Sequence, residues 1–561
     1  MFRRVGLVLT LVVAAGCSRS EVKERRTGST GSPKAPSFSL IALAELRGQI
    51  GPCGCTSDPL GDISRTAQLI EAARAAGPTL VVDAGSVLYS KSPVPTHLTT
   101  QEELKADLLV TTYAAQLHVA AVGLGPADLA QGAAKIRLPR HVVNLAPDQA
   151  IPTAPPAVLD VGGTKVGVFG VVADGAITGV ALTPPVAAAQ GAIRALRSQG
   201  AQIVVGLVQA SSKKDAVKLI RDIGGIDIAV AGLGAAAPEP DEVEIEATRV
   251  GDGWLVIPGN RGQVLSRLDV TVRGPGPLAD AIGMAAAAGK TAALGRRLAA
   301  LDADLARFAA DKSADQTFVQ QKQEERATLA RESATLSQTP LVVPATGSYF
   351  TLDQVRIGKQ LACDVAVQDR VTAFFGAAGE ANVAAAAAIP VPPPPAGQAA
   401  YVGSEACSDC HADATEFWAT TRHAQAWETL EKRGQQFDFD CIGCHVTGWN
   451  QAGGSNLGFN APLRDVQCET CHGPGSIHVA QGGEEKPLTV MRAPPAKLCA
   501  SQCHTAEHSD TFELQAYLRD VVGPGHGAQL RETLGDGPTG LQLRKAALDK
   551  AGRTLGAGCV R

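Results

Sequence analysis

Cys407-Ser408-Asp409-Cys410-His411, Cys441-Ile442-Gly443-Cys444-His445 and Cys468-Glu469-Thr470-Cys471-His472 repeat one pentad in the last third of a 561-residue chain. Cys499-Ala500-Ser501-Gln502-Cys503-His504 repeats it again with one extra spacer residue. Cys-x-x-Cys-His is the attachment signature of c-type haem: the two thiols form thioethers with the vinyl groups, and the adjoining imidazole takes the proximal position on the iron. Chance supplies on the order of 0.01 such pentads in a chain of this composition. Zinc ribbons and disulfide staples also pair cysteines, but neither requires a histidine after every second cysteine. The expected cofactor set is four haem c groups and at least three, the wider Cys499/Cys503 spacing setting the last apart.

The second axial ligand decides the chemistry, and composition limits it. From Tyr401 to Arg561 there are eight histidines but a single methionine, Met491. Outside the proximal set His411, His445, His472 and His504, the candidate distal ligands are His423, His478, His526 and His508. His423 sits between Trp418 and Trp427 on an expected helix, with both indoles available to wall a haem. A Gly-Pro-Gly turn precedes His478 and a Gly-rich bend surrounds His526, so the chain can reverse and aim each imidazole at a neighbouring iron. His508 follows His504 by four residues, too near to reach across the same haem. Bis-histidine, low-potential haems are expected, suited to electron transfer more than to substrate binding.

The run from Tyr401-Val-Gly-Ser-Glu-Ala-Cys407 through the first pentad, Trp418 and His423, then Asp440 to Gly448, then Val466 to Gly475 with His478, resembles the cytochrome c-554-like multihaem family. The resemblance covers about residues 400–527. It implies periplasmic electron transfer through closely stacked haems, some of them five-coordinate and open to small nitrogen oxides.

Arg3-Arg4, the apolar run Val5 to Ala15 and Gly16-Cys17 read as a secretory signal, too short to span a bilayer. Ala14-Ala15-Gly16-Cys17 further resembles a lipobox, with Cys17 the lipidated residue; an ordinary cleavable signal is the alternative. The expected divisions are 1–17 signal peptide, 18–36 tether, 37–273 α/β domain, 274–376 helical hairpin and closing segment, 377–399 Ala/Pro linker, and 400–561 a mainly helical, loop-rich tetrahaem domain with a helical tail. Leu294, Leu298, Leu301, Leu305 and Phe308 form one helical seam, and Val319, Leu329 and Leu336 mark a second. An antiparallel hairpin or a dimerising coiled coil follows from that pattern. The formal net charge of −4, with no basic cluster, argues against nucleic acid, so other redox proteins of the cell envelope are the expected partners.

Residues 37–273 alternate β-branched runs (79–83, 166–172, 202–208, 226–231) with Ala-rich helices such as 187–198, the pattern of a layered α/β domain. Their order, with Ala44-Glu45-Leu46-Arg47-Gly48, Val82 to Ser86, Val122 to Asp128, Val166 to Gly170, Gly206 to Gln209 and Val230 to Gly234, resembles the metallophosphatase domain of the 5′-nucleotidase family, a four-layer α-β-β-α sandwich. That family holds two metal ions with carboxylates and imidazoles. Here Glu45 and Arg47, Ser86, Gly125, Gln209, and Leu233 and Ala235 stand at those positions, which removes the dinuclear site. His97, His118 and His141 fall at none of them and are expected to be structural. Cys53 and Cys55 in Gly51-Pro-Cys-Gly-Cys55 could form a strained disulfide, pair elsewhere, or bind a metal or thiol partner; Cys363 and Cys559 could bridge to each other.

The expected function is an envelope-anchored electron carrier with an inactive metallophosphatase-like domain kept for docking or positioning. A redox enzyme with one open haem acting on a small nitrogen oxide, and a metal-dependent phosphoesterase, are the alternatives.

Overall fold

Strand β1 (Phe38–Leu43) shows why two sheets form: Leu40 and Ala42 point to one apolar cluster and Ile41 and Leu43 to another, so both faces of the strand are covered. The computed structural model describes residues 37–52, 55–281, 284–310, 315–338, 344–387, 389–505 and 508–559. The signal, tether, lipobox Cys17 and Cys53 lie outside the described residues. Further strands are β2 (Thr79–Asp83), β3 (Ala121–Val122), β4 (Ala157–Val161), β5 (Thr164–Val172), β6 (Ile203–Gln209), β7 (Ile228–Gly232), β8 (Thr248–Val250), β9 (Gly253–Val256), β10 (Val264–Thr271), β11 (Ala279–Asp280) and β12 (Tyr349–Arg356). They make two six-stranded sheets, ordered β11-β12-β10-β1-β2-β3 and β4-β5-β6-β7-β9-β8.

Both sheets are mixed. β1, β2 and β3 run parallel while β10 pairs antiparallel with β1 and β12; β5, β6, β7 and β9 run parallel with β4 and β8 antiparallel at the edges. Leu40, Val82, Leu268 and Phe350 of the first sheet meet Val168, Val205, Leu207 and Val230 of the second in the central layer. Helices α1 (Ile63–Ala76), α2 (Thr99–Ala115), α3 (Pro185–Ser198) and α4 (Lys213–Ile223) cover the outside. Ile70, Leu109 and Tyr113 pack on the first sheet, and Ile193, Leu196 and Ile220 on the second. The result is the expected α-β-β-α order of four layers.

Helices α5 (Met284–Ala310) and α6 (Gln316–Gln338) run antiparallel against each other, with Phe308 edge-on to Phe318 at the turn end. Ion pairs Arg297–Glu325 and Arg326–Asp302 cross the seam. Two boundaries differ from the sequence reading. The α/β domain does not end at residue 273: β12 returns after the hairpin to pair with β10 along eight residues, and α7 (Val365–Ala386) packs Val367, Val371 and Phe374 on the first sheet. The hairpin is therefore an insertion. The stretch 377–386, read as linker, is the second half of α7, because alanines without prolines continue a helix; extended chain begins only where the prolines do, after Ile389.

The last third consists of short helices and turns. Its largest apolar cluster holds only Ala386, Trp427, Ile442, Val446 and Leu457 as fully buried members. Cys363 and Cys559 form a disulfide, tying the end of the chain to the start of α7.

Candidate haem-binding site

Each pentad begins on a local helical turn, which puts its two thiols and imidazole on neighbouring sides of one loop. The first follows the turn Ser404–Cys407, with the His411 amide donating to Cys407 O at 2.9 Å. The second ends the helix Phe439–Ile442, whose first turn is capped by Asp438 accepting from Asp440 N. The third is the helix Cys468–His472, stopped by Gly473 at φ 86°. In the fourth, the helix Lys497–Gln502 carries Cys499, and the extra residue places Cys503 just past its end, with both the Cys503 and His504 amides still donating to Cys499 O.

The turns are drawn together in pairs. The thiols of Cys407 and Cys468 are neighbours, as are those of Cys444 and Cys503, so the first pentad adjoins the third and the second adjoins the fourth. Glu469 knots the first of these pairs. This buried carboxylate accepts the backbone amides of Val402, Gly403 and Gly475 at 2.7–3.0 Å.

Two pairs of imidazoles face each other at one distance. His411 and His478 have ring centroids 6.3 Å apart with planes 16° from parallel; His423 and His504 are also 6.3 Å apart, at 38°. Both gaps exceed the roughly 3.5–4.0 Å contact distance of touching faces. A metal–imidazole bond of about 2.0–2.1 Å plus about 1.1 Å from nitrogen to ring centre, taken on both sides of one metal, gives about 6.2 Å. The spacing of each pair is therefore of the size that an iron held between two imidazole nitrogens would set. Neither His445 nor His472 meets another imidazole at this spacing among the described residues.

A metal-binding imidazole is oriented by what its other nitrogen bonds. His445 Nδ1 donates to Ala426 O at 2.5 Å, His472 Nδ1 to Met491 O at 2.7 Å and His478 Nδ1 to Glu485 at 2.8 Å, while His504 Nδ1 lies 3.0 Å from Ser509 Oγ. Each Nε2 is left for another partner. Burial pushes the pKa of His445 and His504 down, and burial with the neighbouring His504 takes His423 down to about 4. Neutral imidazole, the form that binds metal, is thereby favoured.

The remaining candidates divide. His526 packs edge-on against Phe417, and its buried Nδ1 has no hydrogen-bond partner. His508 lies near Asp440, the residue before the second pentad, and Asp510 close by in sequence accepts from Ser57 and Arg544. The expected continuous helix around His423 is broken: Ala412–Ala419 ends before it and Ala426–Glu431 starts after it. Trp418 donates to Val466 O, and Trp427 is buried in the small apolar cluster under Arg464, so Trp427 braces the fold.

A cavity of about 1810 Å³ is lined by Cys441, Cys444, His445, Cys471, Cys503 and His504. It exceeds the roughly 300–1,000 Å³ of an ordinary small-molecule site, as several macrocycles would require. Exposed Val479, Leu488 and Met491 follow the third pentad, apolar surface without protein cover. Sequence reasoning missed the other wall of this cavity, which belongs to the α/β domain. Gln101 on α2 donates to Asp438 at 2.7 Å, and buried Lys105 pairs with Glu102 and Asp440 at 2.6 and 3.2 Å, clamping the helix that carries Cys441. Nothing in the sequence around Lys105 signals this, because its partner lies 335 residues away.

The positions read as lost metal ligands do meet in space. Glu45 Oε1 accepts from Gln209 Nε2 at 3.0 Å and from Gly234 N at 2.8 Å, and a Cβ at Gly125 would collide with Ser86 Oγ. Asp128 accepts from Ser86 N and pairs with Arg140, both side chains fully buried. Burial pushes the Glu45 carboxyl upward, against its bond to Gln209. Among the described residues no group of three or more His, Cys, Asp or Glu is placed to hold a metal ion. His141 Nδ1 accepts from Val122 N and His97 stands against Phe439, both structural contacts.

Residues 406–473 match the family described as cytochrome c554 and c-prime. Cytochrome c-554 of Nitrosomonas europaea is 38% identical over 96 residues, 14% of this chain and 41% of that protein, so the chain spans under half of that relative's length. Among solved structures, the 5′-nucleotidase precursor from Thermus thermophilus is similar at 22% identity and TM-score 0.36, covering 43% of this chain and 53% of that one. The calcineurin-like phosphoesterase YfkN from Bacillus subtilis is similar at 20% identity and TM-score 0.32, covering 42% and 85%. Reduced cytochrome c554 from Nitrosomonas europaea has 32% identity and TM-score 0.13, covering 16% and 55%. Residues 406–473 of the chain are thus similar to the cytochrome c554 and c-prime family, which implies haem c, and they stand beside an N-terminal part built of α/β layers.

Proposed function

We propose that this chain is a cell-envelope multihaem c-type cytochrome that transfers electrons. The observation that carries the reading is the pair of imidazole couples at 6.3 Å, His411 with His478 and His423 with His504. Cys407/Cys410, Cys441/Cys444, Cys468/Cys471 and Cys499/Cys503 would hold four haems, with His411, His445, His472 and His504 proximal. His478 and His423 are the distal partners of the first and fourth, and His526 and His508 remain distal candidates for the others. A bis-histidine iron cycles between ferric and ferrous states without binding substrate. The close pentad pairs favour rapid exchange between neighbouring sites. Redox proteins of the envelope are the partners, and Cys17 is the lipid attachment point; among the described residues no helix is long and apolar enough to cross a membrane.

The α/β domain serves as an inactive scaffold in this reading. Gln209 donates to Glu45, and Gly125 packs against Ser86, where the resemblance would have metal ligands. Low-temperature EPR of the full-length protein tests the whole assignment: at least two low-spin bis-imidazole signals are expected, and a spectrum with none would overturn it. A second reading, a haem open to a small nitrogen oxide, is favoured by the absence of a facing imidazole at His445 among the described residues. High-spin signal and rapid carbon monoxide binding would support it.

A further inference from the structure

The α/β domain does more than touch the second pentad; it gives the shared cavity one strongly charged wall. Of the charged residues it contributes to the lining, six are Lys or Arg and only Asp62 is acidic. The backbone carries Arg47, Lys91 and Arg261 on adjoining segments of this wall: the Arg261 amide donates to Glu45 O at 2.8 Å, the Arg47 amide to Ser86 O at 2.7 Å, and Gly48 lies against the Ser90 backbone. Lys91 and Arg261 line this cavity together with His508 of the last third. Arg65 lines the same cavity, 3% exposed, with its Nε 3.8 Å from Asp62 Oδ2 and its Nη1 without a hydrogen-bond partner. A buried guanidinium with an unmade bond is costly unless an acceptor reaches it.

Arg47 stands where the 5′-nucleotidase resemblance places an imidazole of the first ligand pair. Arginine there reverses the sign of what the site attracts, from a metal cation to an anion. The second pentad borders this wall, since Cys55 of the α/β domain and Cys441 line the same cavity.

We propose that Arg47, Arg65, Lys91 and Arg261 form an oxyanion seat at the second haem, supplied by the α/β domain. This rests on the haem reading above. Its occupant is a carboxylate or similar small oxyanion, either a propionate of that haem or a free anion.

The test uses the full-length, haem-loaded protein, its haem count first established by mass so that failure of the cytochrome reading is recognised separately. Arg47→Gln/Lys91→Gln and Lys91→Gln alone are compared with wild type by potentiometric titration, with and without inorganic phosphate. Lys91 is exposed, so its single variant is expected to fold. If the seat holds a propionate, one haem shifts to more negative potential in the variants while the others stay, and phosphate changes nothing. If it takes free anions, phosphate perturbs one haem of wild type, and the double variant weakens that response about tenfold. Unchanged potentials together with no phosphate response would overturn the proposal.

Discussion

The two halves of this molecule are held together by different means. The α/β part buries three apolar clusters of more than twenty residues each, whereas the haem part has one cluster with five buried members. Hydrophobic burial suffices to fold the first. The second lacks that source, and it leaves Val479, Leu488 and Met491 exposed. The comparison teaches that one chain can pair a self-sufficient domain with a region that has little apolar core of its own, and that the first can brace the second: Gln101, Lys105 and the Cys363–Cys559 disulfide all reach across.

Cofactor loss should separate the halves most sharply. Replacing Cys441 and Cys444 by serine is expected to remove one haem and loosen the last third, seen as new proteolytic cleavage after residue 389 with the α/β part still resistant. The reverse experiment strikes the central layer. Phe350→Ala, at a fully buried position between the sheets, should destabilise the α/β part by about 3–5 kcal/mol in denaturant titration while leaving the haem count unchanged.

The bridging contacts should rank next. Lys105→Ala leaves Glu102 buried without its cation, at a cost of about 3 kcal/mol, the lower end for a broken buried pair because Asp440 is one-third exposed. Thermal melting followed at the haem band would register it. Cys363→Ser opens a disulfide between residues 196 apart, and about 2 kcal/mol is expected because the Cys363 and Gly556 amides still hold the two strands of chain together.

The smallest effect is a pH slope confined to the α/β part. Burial pushes the pKa of Asp83 up to about 7, against the lowering bond from Tyr113. The folded state therefore binds this proton more tightly than the unfolded chain, so the contribution is fully present below about pH 4 and is lost as pH rises toward 7. Asp83→Asn should flatten that decline, read as the difference between wild-type and variant stability at pH 5 and about pH 7.

What could be read from the sequence follows the same division. Strands 79–83 and 166–172 were legible because their burial is encoded locally, by continuous β-branched runs. The pentads were legible because covalent chemistry fixes their spacing. The return of Tyr349–Arg356 to the first sheet was not, since its partner β10 lies beyond an inserted hairpin and pairing across such a distance leaves no local pattern. Nor could the sequence match His423 with His504 and His478 with His411: that choice depends on turns anchored by Glu469 and Asp465, where Glu469 accepts Gly403 N and Asp465 accepts Trp427 N. The Ala-rich end of α7 misled for a simpler reason, because composition alone does not tell a helix from a spacer until the prolines begin.

The intact mass of the mature full-length protein tests the central claim most directly. The account expects the amino-acid mass plus four covalently bound haems. A mass corresponding to the polypeptide alone, or to fewer than three haems, would contradict it.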